Sequence, residues 1–199
     1  MELKGCARMI YRSLFVGYSN FPEQIKLNDS LPYYTALAYE RNQVFLYVEF
    51  HEKNITPDAL VKGNMIPFPN GEQWERAIEV FHYSVPVDAE QWHRKADKKP
   101  YFQLNSLHPE KISSYFFYHY QYQEERPNDG DKYGILFLFG SQLIFYLEDP
   151  EEVDSTKITG ALQTSNTPFD TWETLMQEHF VGDWYRLCIL QRTDYISFS

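Results

Sequence analysis

Two stretches of equal length decide the fold: YTALAYERNQVFLYVE at residues 34–49 and YGILFLFGSQLIFYLE at residues 133–148. Aligned without a gap, they carry identical residues at five positions, which are Tyr34/Tyr133, Leu37/Leu136, Gln43/Gln142, Tyr47/Tyr146 and Glu49/Glu148. Strand periodicity explains the matched apolar positions, but it does not place matched Tyr, Gln and Glu residues in one order. The pattern therefore predicts an internal duplication at an offset of 99 residues.

Each stretch predicts a β-hairpin. Gly140-Ser141 is a good signal for a two-residue type II′ turn, and Arg41-Asn42 is a weaker signal at the equivalent place. Residues directly opposite each other in such a hairpin point to the same face of the sheet. Because both faces are largely apolar, we expect both sides of the sheets to be covered.

A first strand and a later helix complete each predicted unit. Aromatic runs at residues 9–18 and 114–122 favour strands. Asn70 and Asp170 each precede an apolar pattern typical of a capped helix, and Trp74-Glu75 is matched to Trp172-Glu173. The apolar helix faces would be Trp74, Ala77, Ile78 and Phe81 in the first copy, and Trp172, Leu175, Met176 and His179 in the second.

The predicted fold is therefore α+β and sheet-rich, a tandem duplication of an antiparallel β-meander or hairpin followed by an amphipathic helix. The first repeat is placed at residues 1–85 and the second at residues 113–199, packed as one globular unit. Residues 86–112 are predicted to be a polar connector with a short helix near residues 88–95.

A candidate site lies at the open ends of the two hairpins. Cross-strand register puts a Tyr opposite a Glu in each copy, with a second Tyr on the same face; the residues are Tyr34, Tyr47, Glu49, Tyr133, Tyr146 and Glu148. If the copies associate about a pseudo-twofold axis, both sets would flank one cavity, where a carboxylate among aromatic rings has a raised pKa and can act as a general acid or base. His119, in an aromatic run, is expected on a neighbouring strand that faces the same pocket. The structural alternative is a Tyr–Glu hydrogen bond at a strand end and a structural histidine.

Composition excludes several classes of function. The net charge is −10, and residues 101–199 carry 15 acidic against 6 basic residues, which disfavours nucleic-acid and membrane-surface binding. No histidine or cysteine spacing is typical of a metal site, and no Gly-rich phosphate loop is present, so no cofactor is predicted. Cys6 and Cys188 are expected to be buried free thiols in a cytoplasmic protein.

The hairpin Tyr34–Glu49 is similar to the central hairpin of the dimeric α+β barrel families, such as the sugar mutarotases. Those families place a long helix before the hairpin, where this sequence has residues 19–32 and 123–132, which are typical of loops. No catalytic residue is carried over. The preferred hypothesis is a non-catalytic binding or interaction protein with a protein partner or a small polar ligand; the 16 tyrosines are also consistent with a homodimer. The alternative is a cofactor-free, mutarotase-like isomerase acting on a small polar molecule such as a sugar derivative.

Overall fold

The computed structural model describes residues 10–29, 34–51, 55–87, 90–153 and 171–193. Within these ranges the protein is sheet-rich and antiparallel with two α-helices, which confirms the α+β prediction. The chain forms two compact units that are discontinuous in sequence. Unit 1 comprises residues 1–76, 85–96 and 189–199, and unit 2 comprises residues 77–84 and 97–188, whereas the sequence predicted two contiguous repeats.

Unit 1 is built on a five-stranded sheet. The strands of this unit are β1 (Tyr11–Tyr18), β2 (Lys26–Leu27), β3 (Tyr34–Glu40), β4 (Gln43–Phe50), β5 (Val61–Lys62), β6 (Trp74–Arg76) and β12 (Gln191–Thr193). The sheet order is β12-β3-β4-β1-β6, and β2 pairs separately with β5. The predicted hairpin is present, with Tyr34 opposite Glu49, and alternate residues on both of its faces are buried. Short 3-10 helices lie at Pro22–Gln24 and Pro57–Ala59.

Unit 2 contains a second five-stranded sheet and both α-helices. The elements are β7 (Ile78–His82), β8 (Lys99–Ser106), α1 (Ile112–Glu125), β9 (Ile135–Phe139), β10 (Gln142–Asp149), α2 (Trp172–Gln177) and β11 (Tyr185–Cys188). The sheet order is β11-β8-β10-β9-β7. A 3-10 turn at Pro109–Lys111 leads into α1, where proline suits the first turn because its missing N–H has no helical partner there.

The two sheets share one topology and one register. In each sheet, the strand that precedes the hairpin (β1 or β8) pairs with the hairpin's second strand (β4 or β10). The strand that follows the hairpin (β6 or β11) pairs with the other edge of β1 or β8. Leu14 faces Tyr47 in unit 1, and Phe102 faces Tyr146 at the equivalent position in unit 2. Strands β1 and β8 are thus offset by 88 residues, from Leu14 to Phe102, while the hairpins are offset by 99.

The two strands that follow each hairpin are related by a third offset. Arg76 pairs with Phe15 on β1, and Arg186 pairs with Gln103 on β8, so β6 and β11 are 110 residues apart. The same offset relates β7 to β12, but these edge strands are exchanged. Strand β7, which follows β6 in the chain, completes the sheet of unit 2, and β12, which follows β11, completes the sheet of unit 1.

Three predicted elements were wrong. Residues 114–122 lie in helix α1 and not in a strand, and residues 74–81 form strands β6 and β7 and not a helix. The side chain of Asn70 does cap a backbone N–H, that of Glu72 at 3.0 Å, but it does so in a turn that continues through Gly71 at φ +87°. The predicted connector contains strand β8, and its described residues within 88–95 form turns and no helix.

The Trp-Glu match also needs correction. Trp74 lies in strand β6 whereas Trp172 lies in helix α2, so the two are not equivalent. The registers instead align Trp74-Glu75-Arg76 with Trp184-Tyr185-Arg186. The sequence also matches Pro67-Phe68 to Pro168-Phe169 and predicts a final strand at residues 195–198. Residues 168–170 and 195–198 lie outside the described residues, so both stay predictions.

Two further features concern membrane-spanning helices and the cysteines. Neither described helix is long and apolar enough to span a membrane. Cys188 is a free thiol and is exposed, which contradicts the prediction that it is buried, and Cys6 lies outside the described residues.

Candidate functional site

The Glu49 carboxylate of unit 1 is buried and fully engaged. Oε1 accepts hydrogen bonds from the Tyr47 hydroxyl at 2.7 Å and from Nη2 of Arg94 at 2.6 Å. Oε2 accepts from Nη1 of Arg94 at 2.8 Å and from the indole N–H of Trp92 at 3.0 Å. The Arg94–Glu49 pair is therefore bidentate, the geometry in which a guanidinium binds a carboxylate most strongly.

A second arginine and a tyrosine ring complete this cluster. Arg12 donates through Nε to the Tyr47 hydroxyl at 2.9 Å, and the Arg94 guanidinium lies over the Tyr34 ring with 3.8 Å from Cζ to the ring centroid. Burial raises the pKa of Glu49, but the charge and hydrogen bonds of Arg94 outweigh it, and the net pKa is below the usual value. Burial also holds the pKa of Tyr47 well above its ordinary value.

This geometry favours the structural alternative for Glu49. The sequence predicted a raised pKa suited to proton transfer, and the structure gives a lowered one. The signal that sequence reasoning missed is Trp92-His93-Arg94, which lies in the predicted polar connector; Trp92 is only 2% exposed and supplies one of the four hydrogen bonds.

The equivalent carboxylate of unit 2, Glu148, shares the tyrosine contact and lies next to an Asp131–Lys98 ion pair. Tyr146 donates its hydroxyl to Oε1 of Glu148 at 2.6 Å. The backbone N–H of Glu148 donates to Oδ2 of Asp131 at 3.0 Å, and Nζ of Lys98 lies 3.7 Å from the other Asp131 oxygen. Burial raises the pKa of Asp131, and the backbone hydrogen bonds and Lys98 offset part of that effect. The ring of Tyr133 lies beneath Nζ of Lys98, 5.1 Å from its centroid.

His119 does not belong to either Tyr–Glu set. It lies on α1, and its Nδ1 is 3.0 Å from the carbonyl oxygen of Tyr115. Its other contacts are with the rings of Phe81, Tyr115 and Trp172, at centroid distances of 5.5, 4.1 and 5.2 Å. Because a carbonyl only accepts, Nδ1 carries the proton, and Nε2 is left as an acceptor. Burial lowers the pKa of His119 to about 4, so the ring is neutral at pH 7.

His119 instead lines a cavity of about 390 Å³ within unit 2. The sheet and the residues next to its edge strands contribute four aromatic rings, those of Phe81, Tyr83, Phe145 and Trp184. The helices and the residues next to α2 contribute four more, those of Tyr115, Tyr122, Trp172 and Phe180. The polar lining residues are Gln103, His119, Glu173 and Gln177. Since Glu173 and Gln177 are also exposed, the cavity opens beside α2.

The corresponding face of unit 1 is filled. By register, Gln103, Leu136 and Phe145 correspond to Phe15, Leu37 and Leu46, which belong to the hydrophobic core of unit 1. Ile25, Leu60 and Val61 pack into the same core. In unit 2 the two segments that follow β8 and β10 are each 11 residues longer, as the offsets of 88, 99 and 110 require, and they contain α1 and α2. Phe81, Tyr115, Leu136 and Met176 also belong to a hydrophobic core of unit 2, so the cavity lies beside that core, where the sheet and the two helices meet.

Close packing fixes one wall of this cavity. A Cβ atom on Gly134 would lie 2.7 Å from the ring of Tyr83, and one on Gly130 would lie 2.5 Å from it. The Tyr83 ring therefore rests on two glycines because no side chain fits beneath it. The backbone of Tyr83 is bonded on both sides, from its N–H to Gly134 and from Asn128 to its carbonyl.

Helices α1 and α2 are held together by a serine–histidine contact that sequence analysis missed. Oγ of Ser114 lies 2.9 Å from Nε2 of His179, and Nδ1 of His179 lies 2.9 Å from the carbonyl oxygen of Leu175. His179 was predicted on the apolar helix face, and it is only 2% exposed. This contact joins the start of α1 to the residues after α2, and it thereby positions the two helices that line the cavity.

Comparison with known proteins assigns no family to this chain. No family model matches the chain, and no curated protein or solved structure matches it significantly. Within the described ranges, no group of three or more His, Cys, Asp or Glu residues is placed to hold a metal ion.

Proposed function

We propose that this protein is a non-catalytic binding protein whose ligand is a small molecule received by the aromatic cavity of unit 2. The observation that carries the proposal is the difference between two related sheet faces. One is filled by Phe15, Leu37 and Leu46, and the other leaves a cavity of about 390 Å³ lined by eight aromatic rings. That volume lies within the range of small-molecule sites, roughly 300–1,000 Å³.

The Tyr–Glu sets serve the scaffold in this proposal. Both oxygens of Glu49 are held by two hydrogen bonds each, and Glu49 is 0% exposed. A ligand would have to displace Arg94 or Trp92 to reach it. The cavity, in contrast, is lined by the polar side chains of Gln103, Glu173 and Gln177, and Glu173 and Gln177 lie at its exposed opening.

We further propose that the two units arose by tandem duplication with exchange of the final strand. The support is the common register of five strands, at offsets of 88, 99 and 110 residues. Each change of offset falls in a connection, where insertions are tolerated best. On this proposal unit 1 keeps a closed version of the face, and unit 2 acquired its cavity through longer connections.

The test is a thermal-shift screen of a metabolite library on the native protein and on Gln103→Phe. This substitution gives unit 2 the residue that unit 1 carries at the equivalent position, Phe15, and places an aromatic ring inside the cavity. We expect ligands that raise the melting temperature of the native protein and have no effect on Gln103→Phe. Ligands that stabilise both proteins equally, or a screen without any ligand, would contradict the proposal.

A cofactor-free enzyme is the second candidate, and one observation favours it. Ser114 and His179 are within hydrogen-bond distance, and His179 is oriented by a backbone carbonyl, as in an activated nucleophile. Ser114 also lies 3.0 Å from the carbonyl oxygen of Lys111, a local contact typical of a helix start. Turnover of a bound ligand that is lost in Ser114→Ala, with binding retained, would establish the enzyme over the binder.

A further inference from the structure

The electrostatic character of the cavity restricts its ligand. The π-faces of aromatic rings carry partial negative charge and attract cations that lie over them. Eight rings of the described residues line this cavity, and two of them belong to tryptophan, the strongest of these cation acceptors. The described lining residues include no Lys or Arg, so an anionic ligand would find no positively charged side chain there.

One carboxylate lines the same cavity, and others lie near two of its tyrosines. Glu173 lines its opening, and the Tyr122 hydroxyl donates to Oδ2 of Asp129 at 3.0 Å. Asp129 also pairs with Arg126 at 3.3 Å, a half-exposed contact that screening weakens. After burial itself, the nearby charges of Glu151, Asp129 and Asp131 are what raise the pKa of Tyr83, to about 12. Because Asp129 and Asp131 are paired with Arg126 and Lys98, the negative charge of this region comes mainly from Glu151 near Tyr83 and from Glu173 at the opening.

The histidine among the described lining residues does not reverse this balance. Since Nδ1 of His119 donates to the carbonyl of Tyr115, the neutral ring carries an acceptor, Nε2, and no positive charge. Every charged or accepting group among the described lining residues is therefore suited to a positive or donor-bearing ligand.

We propose that the cavity selects small organic cations, in which an alkylated ammonium group lies among the aromatic rings and Glu173 supplies the opposite charge at the opening. This inference rests on the proposed function and names the class of ligand that the site would take. Neutral molecules of the same shape would lose both the cation–π contacts and the attraction of Glu173.

The test compares two probes that differ in one atom, choline and 3,3-dimethylbutan-1-ol, in which carbon replaces the ammonium nitrogen. Binding to the full-length protein is measured by titration calorimetry at low and at physiological salt. We expect choline to bind at least tenfold more tightly than the alcohol. Glu173→Gln should weaken choline binding about fivefold and leave the alcohol unchanged, and the effect should diminish at high salt.

The matched control is Glu178→Gln. Glu178 directly follows α2, is also exposed, and does not line the cavity, so its loss should leave choline binding within twofold of the native value. Equal affinity for choline and the alcohol would overturn the cation class while leaving a binding cavity in place. Ligands from the metabolite screen with no binding of choline would overturn it as well, and failure of every ligand would overturn the proposed function itself.

Discussion

Replacing Glu49 with Gln tests whether the buried Tyr–Glu cluster is scaffold or site. The amide would keep one acceptor oxygen and put an NH₂ donor in place of the other. If that donor faces Arg94 and Trp92, two of the four hydrogen bonds are lost; if it faces Arg94 and Tyr47, the Tyr47 hydroxyl can accept from it and one is lost. Arg94, whose side chain is 11% exposed, would also keep its charge without the carboxylate.

Breaking a buried ion pair by removing one partner typically costs about 3–5 kcal/mol, so we expect a loss of that size in the free energy of unfolding. The assay is urea denaturation followed by far-ultraviolet circular dichroism, with the m-value compared between variants because two units need not unfold together. Removing Arg94 as well, as Glu49→Gln/Arg94→Met, should cost less than the sum of the single changes, since neither charge is then stranded.

Glu40→Gln is the control on the same hairpin. Glu40 is partly exposed and lies 3.9 Å from an exposed Arg41, so its loss should change stability by less than about 1 kcal/mol. A Glu49→Gln protein that is as stable as the native one, and that has lost binding of ligands found in the screen, would refute the structural reasoning and return Glu49 to the site.

Three more outcomes are expected. The folded-state pKa of His119 is about 4 against an ordinary 6.5, so the free energy of unfolding should fall as the pH drops below about 6.5, by about 2 kcal/mol between pH 8 and pH 5. Urea denaturation at each pH measures this loss, and the part due to His119 should be absent in His119→Phe. Phe15→Gln should lower the free energy of unfolding by about 3–5 kcal/mol because it puts an amide in the filled core of unit 1, whereas Gln103→Phe should change it by less than about 1 kcal/mol. Similar losses for both variants would contradict the difference between the two sheet faces. Gly134→Ala should cost about 1–3 kcal/mol and weaken ligand binding because its methyl group would displace the Tyr83 ring, and an unchanged melting temperature would argue against that contact.

The hairpins were predictable because strand pairing depends on local alternation and on turn residues. The turns at Arg41-Asn42 and Gly140-Ser141 fix the register, and that register puts Tyr34 opposite Glu49. The sharing of a face by Leu37, Val44, Leu46 and Val48 follows from the same alternation, and all four lie in one core cluster.

Helix α1 was missed because its aromatic run suits two structures. An uninterrupted apolar segment does not distinguish a buried helix from a strand, and Phe and Tyr raise the strand propensity. Two of the three residues that become buried, Tyr115 and His119, are four apart, which is the helical spacing, and Pro109 precedes them where a helix can begin. Strands β6 and β7 were mistaken for a helix because Asn70 forms turns as readily as it caps helices.

The candidate site was found only in part for a different reason. The alternation of residues within each hairpin predicted that Tyr and Glu side chains share a face, and the structure contains Tyr–Glu hydrogen bonds of 2.7 Å in unit 1 and 2.6 Å in unit 2. That alternation did not give Arg94, whose contact with Glu49 spans 45 residues, because no local pattern specifies such a pairing. The cavity likewise depends on how α1, α2 and the sheet of unit 2 pack together, and only His119 among its polar residues was singled out beforehand.

The most direct test of the central claim uses the four tryptophans as reporters. Trp172 and Trp184 line the cavity of unit 2, whereas Trp74 lies in the core of unit 1 and Trp92 bonds to Glu49. The measurement is a ¹H–¹⁵N correlation spectrum of the indole N–H groups, assigned by Trp→Phe variants, during titration with choline or with ligands from the screen. The account predicts saturable shifts of the Trp172 and Trp184 signals while those of Trp74 and Trp92 stay in place. Shifts confined to Trp74 and Trp92, or none at all for a ligand that stabilises the protein, would contradict it.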